Sequence, residues 1–307
     1  MTSARPAATE APNVAPPDPS PRRPRITLPP HACDCHAHIC GPKARYAYFA
    51  KRLYTPPDAL LPEYRHLLAT LGVERAVLVQ PSIYGTDNTV MLEAMKSAGP
   101  SLRGVAVLAE DVSDGELRRL HRAGVRGVRV NIVDVGEDKG VLPLAALERV
   151  ARRIREFGWH MEFLLHVDEF PDLDRALGEF PVDVVFGHMG YVRSDKGTAA
   201  PGFQALLRLM RGGRAWVKLT APYRISAQPL PHADIKAFAH ALLEANPARV
   251  IWGTDWPHVM LKWAIPMPND GELCDLLGDW VPDAAVRQQV LVDNPVRLYG
   301  FDPAPYR

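Results

Sequence analysis

The chain has 307 residues, 47% of them hydrophobic and 23% charged, which is the composition of a globular protein with one large core or two smaller ones. The formal net charge of +1 provides no excess of basic residues to hold a phosphate backbone, so no nucleic-acid partner is expected. No run approaches about 18 consecutive apolar residues, so the sequence predicts no membrane-spanning segment.

The first 30 residues are rich in Pro, Ala and Arg. Residues 15–30 contain too little apolar side chain to offset the entropy of ordering, so residues 1–30 are predicted to be a disordered leader. A transit peptide would also be rich in arginine and poor in acids, but the prolines oppose the amphipathic helix that such a signal needs. A single domain is therefore predicted over residues 31–307.

Eight short apolar runs follow the leader, with segments of helical period between them. The runs occupy residues 31–39, 75–82, 104–109, 127–133, 160–166, 182–188, 215–220 and 249–255. Helices are predicted at residues 60–71, 88–97, 113–123, 144–157, 171–178, 202–211 and 233–245. Eight parallel strands close a (β/α)8 TIM barrel, and this α/β fold is predicted. An open doubly wound sheet is the alternative, although no glycine-rich phosphate loop follows the first strand.

Three of the four cysteines lie in the first predicted strand or directly after it, which would also suit a thiolate metal site or a disulfide. In an extended strand Asp34, His36 and His38 share one face, while Cys33 and Cys35 point to the other. We therefore expect the cysteines to pack beneath a helix as reduced thiols, which is typical of a cytoplasmic protein.

Histidine and aspartate residues end four of the predicted strands, where the active sites of barrels lie. His36 and His38 end the first strand, His166 the fifth, His188 the sixth and Asp255 the eighth. Each of them alone would be read as a hydrogen-bonded core or turn residue. Two histidines at positions i and i+2, however, face the same side of a strand and can share a metal ion or a substrate oxygen. The combination predicts one active site.

The motifs DCHAHICGP, YTPPDALL, VLVQPSIYGTDN, GVRGVRVN, GHMGY, WVKLTAPYR, IWGTDWPH and LVDNPVRLYG resemble the amidohydrolase superfamily, in the branch of 2-pyrone-4,6-dicarboxylate lactonase and 4-sulfomuconolactone hydrolase. The resemblance extends from about residue 32 to residue 301. It implies a (β/α)8 barrel that hydrolyses a lactone. It places the HxH pair of the family on His36 and His38, the sixth-strand histidine on His188, and the general base on Asp255.

The resemblance leaves open whether a metal takes part. The dicarboxylate lactonase works without one, whereas other members of the superfamily bind zinc through the HxH pair, a fifth-strand residue and the eighth-strand aspartate. His166 would complete the ligand set His36, His38, His166 and Asp255, so a divalent metal, zinc, is predicted as the cofactor. The alternative is that His166 faces the helices.

The resemblance also assigns substrate-binding residues, which are Tyr54, Gln80, Ser82, Arg129, Tyr191 and Arg224. Strand alternation places Arg129 inside the barrel, with Val128 and Val130 outside. Because arginines bind carboxylates in bidentate fashion, Arg129 and Arg224 predict an anionic lactone as the small-molecule partner.

The dicarboxylate lactonase carries two further arginines at positions that read Val135 and Tyr191 in this chain. The first of these two loops is acidic here, with Asp134, Glu137 and Asp138. We therefore expect 2-pyrone-4,6-dicarboxylate to be a poor substrate, unless Arg193 supplies the missing charge. A muconolactone-type or sugar lactone with one anionic group is expected to be better.

Two other functions fit the same residues. Related barrels catalyse metal-dependent non-oxidative decarboxylation or hydration with these ligands, and a catalytically inactive barrel could act as a binding module. Product analysis separates the reactions, because decarboxylation releases carbon dioxide while lactone hydrolysis consumes base. The sequence leaves open whether the protein is a homo-oligomer.

Overall fold

Eight parallel strands form one sheet in the computed structural model of the protein, which describes residues 11–133, 141–259 and 265–303. Each strand pairs with the next strand along the chain, which confirms the (β/α)8 prediction. The strands are β1 Cys33–Ala37, β2 Arg75–Val79, β3 Leu102–Ala106, β4 Val125–Asn131, β5 His160–Leu164, β6 Val184–Phe186, β7 Ala215–Leu219 and β8 Val250–Trp252.

Helices cover the outside of the sheet, and the first seven lie within a few residues of their predicted positions. They are α1 Leu61–Leu71, α2 Thr89–Ala98, α3 Asp114–Arg122, α4 Leu144–Ile154, α5 Leu173–Leu177, α6 Pro201–Arg211, α7 Lys236–Ala245, α8 Asp270–Trp280, α9 Ala284–Gln288 and α10 Asn294–Tyr299. The last three follow β8 and were not predicted. Asn269 was an available signal for α8, because it caps this helix by accepting from the Gly271 N–H (3.1 Å). None of the helices in the described parts of the chain is long and apolar enough to cross a bilayer.

The segment after β8 joins the sheet back to β1. Asp255 N–H donates to the His36 carbonyl oxygen (2.8 Å), and His38 N–H donates to the Trp256 carbonyl oxygen (2.8 Å). The close approach requires glycine at position 253, because a Cβ there would lie 2.7 Å from the His36 nitrogen. This seam places Asp255 directly beside both histidines of the HxH pair.

The first strand differs from the predicted alternation. Cys33 and Cys35 pack in the barrel interior among side chains from five other strands, so the prediction that they lie beneath a helix is wrong. The pairing register shifts between Asp34 and Ala37, which allows His36 to turn inward as well. Asp34 instead faces α1 and accepts a hydrogen bond from the Tyr64 hydroxyl (2.8 Å). All four cysteines are free and buried.

Residues 11–30, which composition predicted to be disordered, make specific contacts in the structure. Arg25 donates through Nε to Asp275 on α8 (2.9 Å), and the Arg22 N–H donates to Asn269 Oδ1 (3.0 Å). Leu28 is buried against the core. The partners of Arg22 and Arg25 lie about 250 positions away in sequence, so the composition of the segment could not reveal them.

Candidate active site

Asp255 lies among three imidazoles at the carboxyl ends of β1, β6 and β8. Its Oδ1 is 3.5 Å from His36 Nε2, 3.8 Å from His38 Nε2 and 3.9 Å from His188 Nε2. All four side chains are almost completely buried. The structure therefore brings together four of the five residues that the sequence placed in one active site.

The two carboxylate oxygens of Asp255 have different surroundings. Oδ2 accepts from the Tyr223 hydroxyl (2.6 Å) and from Arg224 through Nε (2.9 Å) and Nη2 (2.8 Å). Oδ1 is buried and has no hydrogen-bond partner among the described residues. Burial raises the pKa of Asp255, but Arg224 and the neighbouring imidazoles outweigh it and hold this pKa well below the usual value. The carboxylate is thus ionised and keeps one oxygen available.

The binding partner of Arg224 differs from the one that the sequence suggested. It was expected to bind a carboxylate of the substrate, but in the structure it is buried and its partners are Asp255 and the Val259 carbonyl oxygen (2.5 Å). The negative charge of Asp255 raises the pKa of Arg224 against the opposing effect of burial. The structure thus makes Arg224 a partner of the active-site carboxylate.

The three imidazoles are neutral at pH 7. Burial lowers the pKa of His36 well below its ordinary value, that of His38 to about 4 and that of His188 to about 3. His38 Nδ1 lies 2.7 Å from the Val79 carbonyl oxygen, which can only accept, so Nδ1 carries the proton and Nε2 presents a lone pair. A neutral imidazole oriented through its other nitrogen is the form in which histidine binds metals.

A divalent metal could be held by His36, His38 and Asp255, whose ligand atoms all lie within 4.8 Å of one another. The separations of 3.5 and 3.8 Å from Asp255 Oδ1 to the two Nε2 atoms are close to the roughly 3.3–3.5 Å that bonds of about 2.0–2.1 Å give in a tetrahedron. Asp255 Oδ1 and His36 Nε2 are both buried without partners in the described residues, and a cation between them would satisfy both.

His166 lies outside this group. Strand β5 ends at Leu164, and the His166 ring stacks on Tyr191 with centroids 4.4 Å apart. Its Nδ1 is 2.9 Å from the Tyr191 carbonyl oxygen. Tyr191 in turn lies beside His188, with ring centroids 5.5 Å apart. The structure therefore does not place His166 as the fifth-strand ligand, and instead sets it behind Tyr191.

The sequence did not predict the ion pair between Lys218 and Glu162, which lies in the barrel interior beside His36. Lys218 Nζ on β7 lies 2.6 Å from Glu162 Oε2 on β5 and 3.1 Å from His36 Nδ1. Both side chains are buried inside the barrel. The available signal was a charged residue in the middle of each of two apolar strands, because such residues are rarely buried without a partner.

Arg129 faces the barrel interior, as strand alternation predicted, while Val128 packs in the outer core. Its Nη1 donates to the Gln80 carbonyl oxygen (2.8 Å), and its charge contributes to the low pKa values of His38 and His188. The Gln80 side chain supports the following loop by donating to the Asp87 carbonyl oxygen (2.6 Å).

Other residues assigned to substrate binding lie in the loops at the same end of the barrel. Ser82 begins a short 3₁₀ helix after β2, and Tyr54 is buried in the loop between β1 and α1. Val135 and the acidic residues Asp134, Glu137 and Asp138 lie outside the described residues, so the structure does not address them.

Left-handed backbone recurs in the loops after β6, β7 and β8, at His188, Met189, Tyr191, Ala221, Asp255 and His258. Non-glycine residues in this conformation cost on the order of 1–3 kcal/mol each, and such strain concentrates at functional sites. Two of these residues, His188 and Asp255, supply side chains to the cluster.

Comparison with known proteins shows the same kind of barrel. The family model for amidohydrolases matches residues 33–301. The chain is 37% identical to 4-sulfomuconolactone hydrolase from Hydrogenophaga intermedia, over 90% of this chain and 91% of that protein. It is 38% identical to 2-pyrone-4,6-dicarboxylate hydrolase from Comamonas testosteroni, over 91% and 93%. A solved structure from Pseudomonas putida, provisionally named as a 2-pyrone-4,6-dicarboxylic acid hydrolase, superposes with a TM-score of 0.77 at 33% identity, covering 90% of this chain and 99% of that one.

Proposed function

Because this chain belongs to the amidohydrolase family, we propose that it hydrolyses an anionic lactone with Asp255 as the general base. The observation that carries the proposal is the single available oxygen of Asp255, buried among three neutral imidazoles. Relatives that cover most of this chain are hydrolases of 4-sulfomuconolactone and of 2-pyrone-4,6-dicarboxylate, which supports a lactone as the substrate.

The hydrogen bonds of Asp255 define its part in the reaction. Tyr223 and Arg224 occupy Oδ2 and keep the carboxylate from rotating, so a water molecule in the site donates to Oδ1. As the water oxygen bonds to the lactone carbonyl carbon, its proton passes to Oδ1. When the bond from that carbon to the ring oxygen breaks, Asp255 returns the proton to the ring oxygen. The product is a hydroxy acid whose new carboxyl group loses the remaining proton of the water molecule to solvent, and Asp255 is again a carboxylate.

We propose zinc as the metal, since two imidazoles and a carboxylate are ligands that zinc prefers. A bound zinc ion would act as a Lewis acid on the lactone carbonyl. His36, His38 and Asp255 would hold it, and their neutral or anionic state at pH 7 allows ligation without loss of a proton to solvent.

Elemental analysis of the purified protein is expected to find about one divalent ion per chain. His38→Ala should lower the occupancy strongly because it removes a ligand, while His166→Ala should leave it unchanged because that ring stacks on Tyr191. Both substitutions replace a histidine with alanine, but His38 belongs to the proposed metal site and His166 lies outside it. Full activity in protein stripped of metal would instead show that the imidazoles act without an ion.

A panel of lactones tests which substrate the protein prefers. Arg129 is bonded to a main-chain carbonyl rather than a carboxylate, so its charge is available to one anionic group, whereas Arg224 is held by Asp255. A second carboxylate would lack a charge-assisted hydrogen bond of about 1.5–3 kcal/mol. We expect kcat/KM for 2-pyrone-4,6-dicarboxylate to be about 10- to 100-fold below that for a carboxylated or sulfonated muconolactone.

The same panel can overturn the proposal in two ways. If the dicarboxylate is the best substrate, the site does bind a second carboxylate, and the expected preference for a lactone with one anionic group is wrong. If carbon dioxide is released in place of base consumption, the reaction is decarboxylation and the hydrolase proposal fails.

We propose that the protein acts in the cytoplasm, since four free cysteines suit a reducing compartment.

A further inference from the structure

Lys218 and Glu162 form an ion pair in the barrel interior directly below His36. The ammonium group has three hydrogens and no lone pair, so it can only donate. Its Nζ lies 2.6 Å from Glu162 Oε2, 2.8 Å from the Cys35 carbonyl oxygen and 3.1 Å from His36 Nδ1. These three contacts account for all three hydrogens, and one of them is directed at the imidazole.

The contact with Lys218 determines which nitrogen of His36 carries the proton. Nδ1 must accept from the ammonium, and a neutral imidazole has one N–H, so that N–H is at Nε2. Glu162 Oε1 is the competing partner for Nδ1, but it lies farther away at 3.4 Å. A proton on Nδ1 would also point at the hydrogens of the ammonium. The structure thus favours the Nε2–H form of His36.

His38 has the opposite form. Its Nδ1 donates to the Val79 carbonyl oxygen, so its Nε2 is unprotonated. Both Nε2 atoms lie near the same oxygen of Asp255, at 3.5 and 3.8 Å. Two histidines of identical chemistry therefore present a hydrogen-bond donor and an acceptor side by side.

We propose that the Lys218–Glu162 pair is a positioning pair that holds the proton of His36 on Nε2 in the metal-free protein, so that His36 donates and His38 accepts in the active site. This assignment describes the metal-free protein and rests on the proposed function only for its consequence, which concerns the metal ion that His36 and His38 would hold. Ligation of a cation by His36 Nε2 requires the proton to move to Nδ1, where Glu162 Oε1 becomes its acceptor.

The test is ¹⁵N NMR of histidine-labelled, metal-free, full-length protein, with the His36 signals identified by their loss in His36→Asn. We expect His36 to carry its proton on Nε2 and His38 on Nδ1. The Nδ1–H form of His36 in the wild-type protein would overturn the proposal, whether or not any variant folds. Because this readout needs no substrate, the absence of lactone turnover would count against the proposed function alone.

Two substitutions at Lys218 test the cause. Lys218→Arg keeps a group that can only donate, so the Nε2–H form of His36 should persist. Lys218→Met removes the donor, so His36 should shift to the Nδ1–H form with Glu162 as its acceptor. An unchanged wild-type tautomer in folded Lys218→Met would show that Lys218 does not set it.

Discussion

Asp255→Asn is expected to lower kcat by about 10²- to 10⁴-fold on every lactone that the wild-type protein hydrolyses, because an amide cannot take up the proton of the attacking water. Asparagine suits this position structurally. Its carbonyl oxygen can still accept from Tyr223 and Arg224, and asparagine tolerates the left-handed backbone that Asp255 adopts at φ 67°. The measurement is kcat together with thermal unfolding and circular dichroism.

Asp174→Asn is the matched control. Asp174 also pairs with an arginine, Arg208 (2.6 Å), but it lies on α5 outside the barrel. Its replacement should leave kcat unchanged. Wild-type turnover in folded Asp255→Asn would remove this residue from the chemistry and leave the histidines as the remaining candidates for the base.

Arg224→Met is expected to lower both stability and activity. The substitution leaves the Asp255 carboxylate buried without its cation, and breaking a buried ion pair on one side costs about 3–5 kcal/mol. For a chain of 307 residues, with an unfolding entropy of about 2.1 cal/mol/K per residue, that loss corresponds to a fall in Tm of roughly 5–8 °C. The carboxylate also loses two of the hydrogen bonds that fix its orientation, so kcat should fall in the protein that remains folded.

The control for Arg224→Met is Arg193→Met in a neighbouring loop. Arg193 pairs with Asp195, but both side chains are largely exposed, and surface pairs contribute about 0–1 kcal/mol. Its Tm should therefore remain close to that of the wild type. A Tm of Arg224→Met equal to that of Arg193→Met would mean that Arg224 does not stabilise Asp255, and its earlier assignment to the substrate would regain support.

The barrel and most of the active site could be predicted from the sequence because both depend on local periodicity. Apolar runs that alternate with helical segments determine the strand count, and parallel strands bring their carboxyl ends to the same side. That rule was enough to bring His36, His38, His188 and Asp255 together. Alternation within β4 was also enough to turn Arg129 inward, because that strand is regular around this position.

Local periodicity failed where the backbone departs from regularity. The register shift in β1 reversed the expected sides of Asp34 and Cys35, since an irregularity of one residue changes which face a side chain occupies. His166 was assigned to a strand end, but β5 stops two residues earlier and the ring turns toward Tyr191. Neither irregularity has a signal in the order of apolar and polar residues.

The sequence by itself determined which chemical groups face the mouth of the barrel, whereas only the tertiary structure decided how those groups are paired. Arg224 binds Asp255 rather than a substrate anion, and Lys218 reaches His36 across the barrel interior. Residues 22–28 pack on α8 despite a composition that predicts disorder. Each of these pairings joins positions from about 30 to 250 residues apart, and its energy depends on the distance and burial of two groups that no local pattern specifies.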